Sequence, residues 1–166
     1  KPLTNRAKKR VIAEKMIMKY SAVCNTNYVI LRVPGIYGLG RLPLKKVRER
    51  EPLIIKDECK ITNLINVEDL ARITWRVIKD NIHNEIINVS DGTPITSTEY
   101  YLKIYDELEI EYPPFIKMKE AAKHYSVERL SFMSESRILD VTKMHRLLSD
   151  CIKYSNISDG IKCSLY

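Results

Sequence analysis

Asn27 to Arg41 read NYVILRVPGIYGLGR. The apolar run Tyr28 to Leu31, continued by Arg32 and Val33, stops abruptly at Pro34-Gly35. A run of this length, containing β-branched residues and closed by Pro-Gly, predicts a strand buried on both faces. Gly38 and Gly40 follow, and glycines so placed predict irregular chain with room for a ligand to approach the backbone. In open α/β sheets ligands sit beyond the carboxyl ends of strands, so a buried strand that empties into such a loop marks a candidate site. The plainer reading of the same residues is a strand followed by a glycine-rich turn.

Working outward, residues 5 to 21 read as a helix, with Val11, Ile12, Ala13, Met16, Ile17 and Tyr20 forming a broad apolar face. After the glycines, Leu44 to Arg50 reads as a short helix. Leu53 to Ile55 and Ile61 to Ile65 read as brief strands around the polar turn Lys56 to Lys60. Asn66-Val67-Glu68-Asp69 is a helix start: Asn caps the first amides and the acids suit the positive end of the dipole. Leu70, Ala71, Thr74, Val77 and Ile78 carry that helix to Lys79, with Trp75 near its polar side. Ile86 to Val89 reads as a strand closed by Asp91-Gly92. Thr96 to Glu99 is a capping box ahead of a helix whose apolar face is Tyr101, Ile104, Tyr105 and Leu108. Beyond Pro113-Pro114 the signal weakens: Lys117 to Tyr125 and Val141 to Leu148 read as helical, Arg129 to Arg137 as irregular. Alternating strands and helices predict an α/β fold.

At 166 residues the chain is one domain or part of one. The net charge of +7 is not spread over the surface. Residues 1–19 hold seven Lys or Arg against Glu14 alone, whereas the rest of the chain carries 21 basic and 20 acidic groups. A single basic helix without interleaved aromatics or a recognition motif is a solvated or partner-facing surface, and nucleic acid ranks last among the ligands considered. Cys24, Cys59, Cys151 and Cys163 form no Cys-x-x-Cys pair, and His83, His124 and His145 are dispersed, so a metal site is not expected. No apolar run reaches membrane-spanning length and no signal peptide is recognisable, which gives the expectation of a cytoplasmic protein with reduced thiols.

Five short segments in order resemble the C-terminal half of the NAD-dependent epimerase/dehydratase family, the extended and atypical short-chain dehydrogenases/reductases. They are Arg32-Val33-Pro34-Gly35-Ile36-Tyr37-Gly38, Ile65-Asn66-Val67-Glu68-Asp69-Leu70-Ala71, Ile87-Asn88-Val89-Ser90-Asp91, Ser134-Glu135-Ser136-Arg137 and Asp140-Val141-Thr142-Lys143. The resemblance implies a partial Rossmann-like fold: the last parallel strands and the C-terminal substrate-binding part, with the N-terminal dinucleotide-binding half absent. It implies NAD or NADP as cofactor of the intact family, with Pro34, Gly35 and Ile36 approaching the nicotinamide. It also implies a nucleotide-sugar-like substrate contacted by Tyr37 and Arg41 of the glycine loop and by Arg137. Arg41 has the donor fork that suits a phosphate. Partners expected on this basis are a missing Rossmann half or a second copy of the chain.

Two departures qualify the resemblance. Gly35-x-x-Gly38-x-Gly40 lacks the spacing of a dinucleotide fingerprint. The family's Tyr-x-x-x-Lys acid/base pair has no counterpart either. One register places Arg6 and Arg10 there, with Glu14 on the family's glutamate, and the other places Asn5 and Lys9. Neither supplies a phenol, and arginine does not release its proton at relevant pH. The expectation is therefore a substrate-side half with no catalytic residue of its own. The alternative is a non-enzymatic binding or scaffold domain, or an inactive remnant. With that half missing, the sheet should lack neighbours on at least one side of Tyr28 to Val33, and the first helix should expose apolar surface.

Overall fold

The computed structural model describes residue 2, residues 4–133 and residues 136–166. Its elements run α1 (Asn5–Cys24), β1 (Val29–Arg32), β2 (Gly35–Tyr37), α2 (Leu44–Arg48), β3 (Leu53–Ile54), β4 (Ile61–Thr62), β5 (Leu64–Asn66) and α3 (Val67–Lys79). They continue with β6 (Glu85–Asn88), β7 (Ile95–Thr96), α4 (Ser97–Glu107), β8 (Phe115–Ile116), α5 (Val127–Met133), α6 (Thr142–Leu148) and α7 (Ile157–Lys162). Short 3₁₀ turns lie at Lys56–Glu58, Met118–Lys123 and Ser149–Cys151. Four strand pairs form: β1 with β6, β2 with β5 and β3 with β8 in parallel, and β4 with β7 antiparallel.

The opening stretch differs from its sequence reading in two ways. Pro34 does not end the sheet; it moves the chain from one partner to another. Lacking an N–H, proline cannot continue a ladder, so β1 stops beside β6. The chain then resumes as β2, where the Gly35 amide donates to the Asn63 carbonyl at 3.3 Å. Nor is β1 buried on both faces. Val29 to Leu31 are half-buried and Arg32 is exposed, because among the described residues β1 has a strand neighbour on one side only.

The β2–β5 pair divides the core. Successive side chains of a strand point to opposite faces, so Tyr37 and Leu64 enter one cluster with Val47, Ile104 and Ile161. Ile36 and Ile65 enter the other, against Ile73, Ile87 and Met144. A smaller cluster gathers Ile54, Ala121 and Tyr125 under the 3₁₀ turn. Ile61 to Ile65 is broken at Asn63, whose side chain leaves the ladder to serve another segment, as described below.

Two helices also differ from expectation. In α3 the buried apolar residues are Ile73 and Val77, whereas Ile78 and Trp75 are exposed, Trp75 by 64%. Of the face read as Leu70, Ala71, Thr74, Val77 and Ile78, Val77 is buried and Leu70 half-buried, whereas Ala71, Thr74 and Ile78 are exposed and Ile73 takes their place in the core; Trp75 lies on the exposed side, as read. Arg129 to Arg137 reads as irregular, but its first residues, 129–133, belong to α5, docked by Arg129, which pairs with Glu51 at 2.5 Å and lies 3.6 Å from the Tyr125 ring centroid. Ser134 and Glu135 of the fourth resemblance segment lie outside the described residues.

Helix α1 is capped by Thr4, which accepts from the Ala7 amide at 3.3 Å, and ends in a left-handed residue at Asn25. Only Ser21 of this helix is buried. Ile12, Met16, Ile17, Tyr20 and Val23 are 48–77% exposed, an apolar stripe running along more than half of the helix. No helix among the described residues is long and apolar enough to cross a membrane. No group of three or more His, Cys, Asp or Glu that could hold a metal occurs among them, and the four cysteines are free thiols.

Candidate functional site

A groove of about 760 Å³ runs between α1 and the bend from β1 to β2. Its first wall is α1, through Arg6, Ala7, Arg10, Val11 and Glu14. Positions 6, 10 and 14 are four apart and therefore stack on one face of a helix. Arg6 and Arg10 line the groove, whereas Asn5 and Lys9 are not among the described residues lining it. Glu14 anchors the wall. It accepts from Arg32 Nε at 2.9 Å and from a second guanidinium nitrogen at 2.6 Å, a bidentate pair that ties the helix to the end of β1. The Arg32 hydrogen bonds hold the Glu14 carboxyl below the usual carboxylate range, and the same contact raises Arg32.

The floor is Val33, Pro34 and Gly35. The far wall combines Lys60, Ile61, Thr62 and Asn63 with Met133, Arg137 and Leu139 from the C-terminal part. Asn63 joins these two pieces: its Nδ2 donates to the Arg137 carbonyl at 2.7 Å and its Oδ1 accepts from the Leu139 amide at 3.1 Å. Buried and doubly bonded, Asn63 fixes the backbone that carries Arg137. Asn88 works similarly lower down, donating to the Asp140 carbonyl at 2.9 Å. Among the described lining residues there are five cations (Arg6, Arg10, Arg32, Lys60 and Arg137) and one carboxylate, Glu14, already engaged by Arg32. Such a surface attracts anions and offers planar donor forks for carboxylate or phosphate.

Three of the residues expected at the site are therefore in the groove: Pro34, Gly35 and Arg137. Ile36, Tyr37 and Arg41 are not among its described lining residues. Ile36 pairs with Ile65 and packs into the second core cluster. Arg41 is exposed on the loop after the glycines. Tyr37 is 1% exposed and sits deep in the first cluster, where burial pushes its phenol well above the usual value. The glycines have packing reasons. A Cβ on Gly35 would come 2.7 Å from a Leu64 methyl, and one on Gly38, at φ +131°, 2.6 Å from Val67. The sequence reading missed Lys60, Asn63 and Asn88. It had Arg6 and Arg10 in view but gave them no ligand.

Away from the groove, Asp91 is a buried carboxylate with one unmet need. Its Oδ1 accepts from the Thr93 amide at 2.9 Å, while Oδ2 is buried without a partner among the described residues. Burial first, with the nearby Asp69 charge adding to it, pushes the Asp91 pKa up to about 6. A folded-state value above the unfolded one means the folded protein binds the proton more tightly. The charge penalty is therefore absent below pH ~4, grows as pH rises, and is full above pH ~6. Asp91→Asn is expected to stabilise the protein by roughly 1–2 kcal/mol at pH 8 and by nothing at pH 4. That figure is smaller than the bare pKa shift because relaxation and water discount buried charges. Denaturation of both proteins from pH 4 to 8 measures it; a difference that does not change with pH removes the assignment.

No protein-family model matches the sequence, and comparison with curated proteins gives no match either. Solved structures do match. A functionally unknown conserved protein from Silicibacter pomeroyi is 25% identical, with a TM-score of 0.87 over 99% of this chain and 57% of its own. UDP-glucose 4-epimerase from Thermotoga maritima, solved with UDP-glucose, is 16% identical, with a TM-score of 0.74 over 99% and 53%. UDP-glucuronic acid 4-epimerase from Bacillus cereus, solved with UDP-glucuronic acid and NAD, is 21% identical, with a TM-score of 0.75 over 99% and 52%. The fold is that of the C-terminal half of Rossmann-like, NAD-dependent epimerases and dehydratases. The chain spans about half the length of the structures it matches.

Proposed function

We propose that the groove between α1 and the β1–β2 bend binds a nucleotide-sugar-like ligand, and that this chain is the substrate-side half of an NAD(P)-dependent oxidoreductase or epimerase. The observation that carries the reading is the clustering of five cations around one paired carboxylate, within a fold shared with nucleotide-sugar enzymes. Arg137, its backbone held by Asn63, and Lys60 beside it are suited to a diphosphate.

The described residues fit a dinucleotide poorly. A pyrophosphate cradle needs glycines that let the backbone approach at a helix N-terminus. Here the space at Gly35 and Gly38 is taken by Leu64 and Val67, and Gly40 faces open space. NAD or NADP enters this reading through what a second Rossmann half supplies, with Pro34 and Gly35 as the wall contributed here. The exposed stripe of α1 and the open side of β1 are the surfaces for that half or for a second copy.

The groove's composition also favours binding over turnover by this chain alone. In the register that puts Glu14 on the family's glutamate, guanidinium groups occupy the places of the acid/base pair and hold their protons, and in the other register Asn5 stands where the phenol would be. A binding or scaffold role is the second reading.

The test is a thermal melt with ligand. Millimolar UDP-glucose is expected to raise the midpoint, since a ligand at about 100 times its Kd adds ~2.7 kcal/mol to the native state. NAD alone is expected to leave it unmoved. Arg137→Ala is expected to weaken UDP-glucose by about 1.5–3 kcal/mol, the range of a charged hydrogen bond. An unmoved midpoint with the nucleotide sugar, or full affinity in Arg137→Ala, sinks the reading.

A further inference from the structure

Helix α1 carries a second pattern, on the side turned away from the groove and the core. Ala7, Glu14 and Ser21 lie seven apart and are half-buried or buried, so they mark the face that rests on the protein. The opposite face is a seam with alternating steps of three and four: Lys9, Ile12, Met16, Lys19 and Val23. All five are exposed, Val23 by 77%. Steps of three and four along one face are the spacing by which one helix packs lengthwise on another. Lys8 and Lys15 run beside the seam, and the only carboxylate of α1, Glu14, is on the far face and held by Arg32. We infer that this seam is the docking face for an acidic amphipathic helix of a partner chain, with Asp or Glu opposite Lys9 and Lys19 and apolar residues opposite Ile12, Met16 and Val23.

The two lysines within the seam decide the occupant. A second copy of the chain fits poorly in either orientation. Run parallel and in register, it sets each Lys9 on the other and each Lys19 on the other. Run antiparallel with Ile12 over Met16, it sets Lys9 over Lys19. Both arrangements bring like charges into a contact from which water is being removed, which is costly and steers a helix to other partners. An anionic membrane suits the seam no better. A helix lying on a bilayer keeps its cations on the polar side, whereas Lys9 and Lys19 interrupt the apolar face itself. A carboxylate on a facing helix meets each ammonium as an ion pair, and Lys8 and Lys15 extend the same complementarity along one flank.

Fluorescence anisotropy of the full 166-residue chain with two synthetic three-heptad helices tests this. Both peptides carry Leu opposite Ile12, Met16 and Val23; one has Glu opposite and beside the lysines, the other Lys. The acidic peptide is expected to bind at least about tenfold more tightly than the basic one, with an affinity that falls as salt rises. Lys9→Glu with Lys19→Glu should reverse that preference, whereas Lys45→Glu with Arg48→Glu, on α2, should leave it intact. Ile12→Gln with Met16→Gln should weaken the acidic peptide at least about tenfold while leaving the thermal midpoint within about 2 °C, because both side chains are already exposed. Equal binding of the two peptides, acidic binding that survives Ile12→Gln with Met16→Gln, or a preference lost equally in the α2 control overturns the inference. Sedimentation and vesicle flotation close the other routes. Self-association abolished by Ile12→Gln with Met16→Gln assigns the seam to a second copy. Capture by vesicles of about one-third phosphatidylserine, abolished by the same pair, assigns it to lipid. Either result overturns the partner helix as well.

Discussion

Replacing Asp69 with alanine is expected to cost about 3–5 kcal/mol of stability, the range for breaking a buried, hydrogen-bonded charge pair by removing one partner. Asp69 lies in the first turn of α3 with no exposed surface. Its Oδ1 accepts from the Lys153 amide at 2.9 Å and its Oδ2 from the Tyr154 amide at 3.0 Å. Arg72, one turn on, bonds the same carboxylate and also donates to the Cys151 carbonyl at 3.2 Å. One side chain thus straps the segment after α6 to the helix that follows β5. Alanine leaves the Lys153 and Tyr154 amides without their acceptor and takes from Arg72 its buried partner, and each buried donor left unmet is costly. For a chain of this length the midpoint should fall by roughly 6–20 °C, at about 2–4 °C per kcal/mol. Limited proteolysis should then cut within 149–166 before the rest of the chain. A loss below 1 kcal/mol, or first cleavage elsewhere, contradicts the strap.

The sequence had Asp69 only as an acid at a helix start, because a first-turn carboxylate serves the dipole whether or not it reaches a distant backbone. The same limit explains most differences between the residues as read and as folded. Local signals held where both partners are local. Thr96 and Glu99 cap each other as the spacing predicts, with the Glu99 amide 3.1 Å from Thr96 Oγ1 and the Thr96 amide 3.0 Å from Glu99. Asn66 accepts from the Glu68 amide at 2.9 Å. Ile104 and Tyr105 are buried where the period of α4 places them.

Non-local choices were not legible. Nothing near Pro34 says that β1 and β2 pair with different strands. Nothing near Asn63 says that its amide holds residues 137 and 139. In α3, Ala71 and Thr74 satisfy an apolar period as well as Ile73 does, so pattern alone could not fix which way the helix faces. At the site, Pro34, Gly35 and Arg137 were reached through resemblance rather than chemistry. Tyr37 shows the weakness of that route: one motif carries both a groove residue and a core residue, and only packing separates them. Arg6 and Arg10 were visible as the wrong residues for proton transfer.

Gly160→Ala tests that packing. Alanine in place of a helical glycine ordinarily gains about 1 kcal/mol, and Gly160 sits inside α7, capped by Asn156. Here the sign should reverse. A Cβ at 160 would meet the Tyr37 hydroxyl and come 2.9 and 3.0 Å from two of its ring carbons. Tyr37 has nowhere to retreat, with Val47, Leu53, Leu64 and Ile104 packed in the same cluster. Overpacking a full core costs about 1–3 kcal/mol and sometimes more, so a net loss of about 2 kcal/mol is expected. The Tyr37 hydroxyl is buried without a partner among the described residues, so Tyr37→Phe removes an unmet polar group and the nearest clash together. On its own it should be neutral or slightly stabilising. Combined with Gly160→Ala it should restore at least half of the loss, a coupling within the 0.5–3 kcal/mol that contacting residues show. Urea denaturation of the four proteins closes the cycle. Additive effects, or a stabilised Gly160→Ala, mean that α7 does not close over Tyr37, and the buried place assigned to that side chain fails with it.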